Sequence, residues 1–91
     1  MSMSSSGWKE FFRQWPAELP RRGVVITTFG EQIPFAEFLT SSKFLLLERH
    51  APDSLGARTV VVPFDAVAAL KLTDVVKSKT FASLGFERTA V

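Results

Sequence analysis

The sequence predicts a mainly β domain of the α+β class: an N-terminal helix, five short strands wound into a small, strongly bent antiparallel barrel, and a short C-terminal helix. Three observations predict it. Trp8, Phe11, Phe12 and Trp15 stand at i, i+3, i+4 and i+7, the apolar stripe of one helix. From Gly23 onward the chain changes to β-branched and aromatic runs broken by turn chemistry. Pro63 falls inside "ARTVVVPFDAVAALKLTD" (57–74), where a continuous helix would lose a hydrogen bond and clash with the preceding turn, at about 3 kcal/mol or more.

Residues 1–6 are a polar lead, expected to be disordered, and 7–91 form one domain. In "GWKEFFRQWP" (7–16), Ser6 or Gly7 caps the helix and Pro16 blocks its continuation past Trp15. Lys9, Glu10, Arg13 and Gln14 take the opposite face, without the Lys/Arg surplus of a membrane-surface helix. The aromatic stripe is therefore expected to cover an open end of the domain's own core, packing that so short a helix needs. "PAELPRR" (16–22) is a proline-bounded connector.

"VVITTF" (24–29) is the first strand, turned at Gly30-Glu31, where glycine accepts positive φ. "QIPFAEFLT" (32–40) is the second, and Pro34 requires of it an edge position or a bulge. "SSK" (41–43) turns the chain into "FLLLER" (44–49), the third strand. Period-two spacing is expected to place Phe44 and Leu46 inside, with Leu45 and Leu47 on the opposite face. After the Pro-, Asp- and Gly-rich loop 50–57, "RTVVV" (58–62) is the fourth strand, "PFD" (63–65) the hinge and "AVAALKL" (66–72) the fifth. "SKTFASLGF" (78–86) reads as a short helix stopped at Gly85.

Composition narrows the function classes. With no cysteine there is neither a disulfide nor a thiolate zinc site, and a reducing compartment follows as the expectation. Residues 1–7 lack the charged and apolar regions of a signal peptide, and no uncharged run is long enough to span a bilayer, so a cytoplasmic protein with no membrane partner is expected. Nine Phe against no Tyr favour dry packing over wet recognition.

No enzyme is expected. His50, the single histidine, sits in a loop beside Asp53 and Ser54 without a nucleophile elbow, and the carboxylates are scattered. No catalytic, cofactor or metal residue is assigned, and no cofactor is expected. Assembly is better supported. Residues 44–47 and 60–62 are apolar at successive positions, so both faces of those strands must meet something dry. Uncharged "TVVV" would also leave an open edge of the kind proteins usually pair or blunt. Pairing between copies resolves both, with Val60, Val61, Val62, Val67 and Leu70 as the expected oligomer interface.

The order of elements resembles the Sm-like family. "VVITTFGEQIPFAEFLTSSKFLLLE" is similar to its first sequence segment and "RTVVVPFDAVAALKL" to its second, across about residues 8–73. Ala36 stands where that family carries a glycine that lets the second strand bend. The resemblance implies a bent five-stranded barrel and a homo-oligomeric ring of about five to seven copies. It also implies RNA as a ligand class, although the family's uridine-binding Asp and Asn are replaced within Ser41–Leu45 and its Arg-Gly pair by Pro63-Phe64. In a ring, modest local charge becomes a basic annulus. Lys43, Arg49 and Arg58 are its candidate phosphate contacts, and Phe64 its candidate stacking platform. The rival reading is an SH3-type structural or protein-interaction barrel without nucleic-acid affinity.

Overall fold

The structure, a computed structural model, describes residues 4–88. It is a small α+β domain of two helical segments and two three-stranded antiparallel sheets. Helix α1 spans Ser4–Arg13, beginning earlier than a cap at Ser6 or Gly7 allows. Of the polar lead, residues 1–3 lie outside the described residues. Strands follow at β1 Gly23–Thr27, β2 Gln32–Phe35, β3 Glu37–Thr40, β4 Phe44–Glu48 and β5 Thr59–Pro63. A 3-10 turn η1 (Phe64–Ala66) leads into β6 (Val67–Lys71), and a 3-10 segment η2 (Ser78–Leu84) ends at Gly85 with φ 92°.

The strand–hinge–strand reading of 57–74 holds. Five strands become six because the second breaks at Ala36 into β2 and β3, which belong to different sheets. One sheet has the order β2-β1-β6 and the other β3-β4-β5. The expected barrel is not closed: η1 turns β5 and β6 apart, and they pair with β4 and β1 rather than with each other. Gly23 allows the close approach of β1 to β6, since a Cβ there would lie 2.4 Å from the Lys71 carbonyl oxygen.

The core lies between the sheets and under α1, built from Val25, Ile33, Phe35, Phe38, Leu45, Leu47, Val62, Phe64 and Val67 with Phe12 from the helix. Phe12 meets the Phe38 ring edge-on at 5.0 Å, and Trp15 meets it at 4.9 Å. The aromatic stripe thus covers the domain's own core, as its pattern predicts. Trp15 Nε1 donates to the Leu19 carbonyl at 3.0 Å, which folds the proline-bounded connector against the same end with Leu19 buried.

The phase of β4 is the reverse of the expected one. Leu45 and Leu47 are fully buried, whereas Phe44 is 48% exposed and Leu46 half-buried on the outer face. In "FLLLE" either phase offers apolar residues to the core, so pattern alone does not choose. The turn chooses. Ser41 N donates to Phe44 O at 2.9 Å and Ser41 Oγ accepts from Phe44 N at 3.1 Å, closing a two-residue hairpin that fixes Phe44 outward.

Candidate functional site

Two sheets of three strands leave four strand edges, and the chain treats them unequally. On β1, Thr27 N donates to Glu31 O, so Thr27, Val25 and Gly23 bond toward β2 and their partners there are residues 31, 33 and 35. Gln32 and Pro34 therefore face the outer edge of β2, and Pro34 brings no N–H to it. Pro34 thus occupies the edge position its presence requires. The edge of β3 is closed differently. Phe38 N donates to Glu37 Oε1 at 2.8 Å, Arg21 Nη2 donates to Phe38 O at 2.6 Å, and Arg21 pairs with Glu37. The guanidinium lies 3.8 Å from the Phe38 ring centroid, and its hydrogen bond holds the Glu37 carboxyl below its ordinary pKa.

Of the other two edges, that of β6 carries no such device and that of β5 only Pro63, at its C-terminal end. In the β4–β5 ladder, Phe64 N donates to Lys43 O and Arg49 N to Arg58 O, which makes 45/62 and 47/60 bonded pairs as well. The N–H and C=O of Val61 consequently point away from β4. In the β1–β6 ladder Val24 and Ile26 bond toward Lys71 and Ala69, so Leu70 turns its N–H and C=O to the free edge. Neither Val61 nor Leu70 has a backbone hydrogen-bond partner on that side among the described residues. The expected interface residues divide accordingly. Val62 and Val67 are core, Val60 and Leu70 pack partly against it, and Val61 is 54% exposed.

The candidate nucleic-acid residues are not brought together. Lys43 stands at the turn before β4, and Arg49 and Arg58 stand side by side at its other end. Arg49 Nε donates to the Ala51 carbonyl at 3.0 Å, bracing loop 50–57. Phe64 is corrected: at 2% exposure, tilted against Phe12 at 6.5 Å, it is a core ring that cannot stack a base. Pro63 sets the turn that drives its side chain inward. A 440 Å³ cleft beside Lys43 offers other groups, with Lys9 of α1, Ser42, Phe44 and Asp65 on its walls. Lys9 and Phe44 escape the sequence reading. Glu48 is the signal for Phe44, because alternation counted back from that charged residue puts 44 and 46 outside.

Loop 50–57 is a self-satisfied turn. Asp53 Oδ1 accepts from Leu55 N and Ala57 N, each at 2.8 Å, and Gly56 takes φ 88°. Those amides hold the Asp53 carboxyl below its ordinary pKa. His50 is exposed beside this turn. Among the described residues, no three His, Asp or Glu side chains stand close enough to share a metal ion, and no helix is long and apolar enough to cross a membrane. Compared with protein-family models, curated proteins and solved structures, the chain has no match.

Proposed function

We propose that this chain is a non-enzymatic Sm-like module that closes into a homo-oligomeric ring by pairing β5 of one copy with β6 of the next, and that the ring binds single-stranded RNA. The observation that carries the reading is the unequal treatment of edges. β2 is blunted by Pro34 at its middle and β3 by Arg21 with Glu37, while β6, and β5 up to its terminal Pro63, keep their backbone groups open. Open edges invite another strand, and a chain that closes two edges and leaves two of equal length is built for head-to-tail addition. Sheet order and the bend at Ala36 also support the Sm-like reading.

RNA would lie over the Lys43 clefts. Lys9 and Lys43 supply the cationic contacts and the exposed ring of Phe44 the stacking face, repeated around the ring. Asp65 on the same cleft and the net charge of +2 favour the second reading, an SH3-type interaction barrel with no nucleic-acid affinity.

Light scattering on the purified protein tests the ring. A mass of about five to seven subunits at micromolar concentration is expected, and Val61→Pro, which removes an outward amide without touching the β4–β5 bonds, should yield monomer or insoluble protein. A monomeric wild type would end the assembly reading. Titration with single-stranded RNA at two salt concentrations separates the two functions: salt-dependent binding supports the first and absence of binding the second.

A further inference from the structure

We infer that the floor of the apolar groove between α1, β6 and η2 is continued by the outer face of the β3-β4-β5 sheet of a second copy. The inference rests on the β5–β6 pairing proposed above and adds what the joined faces do. Two features are unexplained by a single copy. One is an apolar row across the outer face, Leu39–Leu46–Val61 in register, with Leu39 53% and Val61 54% exposed. The other is a groove of 470 Å³ with Leu70 and Leu72 as its floor and Trp8, Phe11, Phe81 and Phe86 as its walls. The walls are held by edge-on rings, Phe11 to Phe86 at 6.3 Å and Phe81 to Phe86 at 6.2 Å.

The stereochemistry of strands connects them. Along a strand of L-residues, the side on which the N–H points and the face on which the side chain stands alternate together. At the β5 edge the outward groups belong to Val61, whose side chain is on the outer face. At the β6 edge they belong to Leu70, which stands opposite the buried Val25 and is therefore on the inner face. In an antiparallel joint, residues that exchange hydrogen bonds lie opposite each other with side chains on one face. Joining β5 to β6 of the next copy therefore makes the outer face of one sheet continuous with the inner face of the other. Val61 comes to Leu70, and Leu46 and Leu39 follow at successive strand spacings of about 4.8 Å. The exposed row and the open groove are then the two halves of one heterologous interface, and η2 forms part of its wall.

The test uses the full-length chain. Leu46→Glu spoils the outer row and keeps the groove; Phe86→Glu spoils the groove and keeps the row. Neither alters the edge groups of β5 or β6. Each variant alone is expected to be a folded monomer by light scattering and circular dichroism, and a 1:1 mixture is expected to give a species of two subunits, one intact joint and no more. Leu39→Glu, at an exposed site, repeats the experiment if Leu46→Glu does not fold. Variants that keep the wild-type ring would overturn the inference while leaving edge pairing intact. A mixture that stays monomeric would overturn it as well, and a monomeric wild type would remove both proposals.

Discussion

At Leu45 and Leu47 a single side chain decides whether the domain holds. Both are fully buried among Phe38 and Val62, so Leu45→Ala should cost about 2–5 kcal/mol in urea unfolding. That is a large share of the roughly 5–15 kcal/mol a domain has to lose. Phe44→Ala, on the outer face, should cost about 1 kcal/mol or less in the same assay. Equal losses at both positions would mean that the phase of β4 is wrong. Gly23→Ala should also destabilise, by about 1–3 kcal/mol, because the new methyl would meet the Lys71 carbonyl and push β6 from β1. The sequence does not announce this glycine's role, for the contact is with a strand nearly fifty residues away. It does announce Phe12 and Trp15, whose helical spacing reports the core face directly, whereas "FLLL" is apolar on both sides and leaves its phase to a serine hydroxyl in the preceding turn.

The helix and the tail are secured by different physics. α1 contributes Phe12 to the core and Trp15 to the Phe38 ring, so deletion of residues 1–16 exposes Phe38 and Phe64 and should give aggregated protein on gel filtration. A truncated chain that stayed soluble and folded would show that the stripe is dispensable for the core. The segment after β6 is fastened by charge at its start and by the Phe11–Phe86 contact near its end. Arg22 Nη2 and Nε donate to Asp74 at 2.7 and 3.0 Å, and that hydrogen bonding lowers the Asp74 pKa. A carboxyl with a lowered folded-state pKa stabilises fully above its ordinary value near 4, and the contribution is lost as pH falls through the depressed value. Amide resonances of residues 74–86 should therefore be steady from neutral pH down to about 4 and move below it. Asp74→Asn should show the acid pattern at pH 7. The pair is exposed and screened by salt, so the effect belongs to the tail and not to global melting. Gly85 announces the end of η2 in sequence. The Arg22–Asp74 bridge, spanning 52 positions, does not.

For the whole molecule, the order and kind of elements were legible because each strand is bounded by its own turn chemistry and Pro63 forbids a helix. The split of one strand between two sheets was legible only at Ala36, as a position where the resembling family bends. The grouping of basic residues was not legible: Lys43 and Arg49 are six apart in sequence but at opposite ends of β4, and Lys9 reaches the cleft from α1. If the ring binds RNA, Lys43→Gln should weaken binding similarly for different sequences and flatten its salt dependence by about one phosphate contact per occupied cleft. An unchanged slope in a salt-titrated fluorescence assay would put the nucleic acid elsewhere.

The bend at Ala36 also sets an angle. Together with η1 it sets the direction of the β5 edge relative to the β6 edge within one copy, and in the proposed head-to-tail assembly that direction is the rotation from each subunit to the next. A rotation that divides a full turn closes; one that does not climbs into a helical filament. Ala36→Gly, which loosens the bend, should therefore broaden the distribution of ring sizes seen by electron microscopy, and an insertion beside it should convert rings into fibres. On this proposal, whether the assembly closes is decided at the two places where the chain passes from one sheet to the other, the bend at Ala36 and the turn η1.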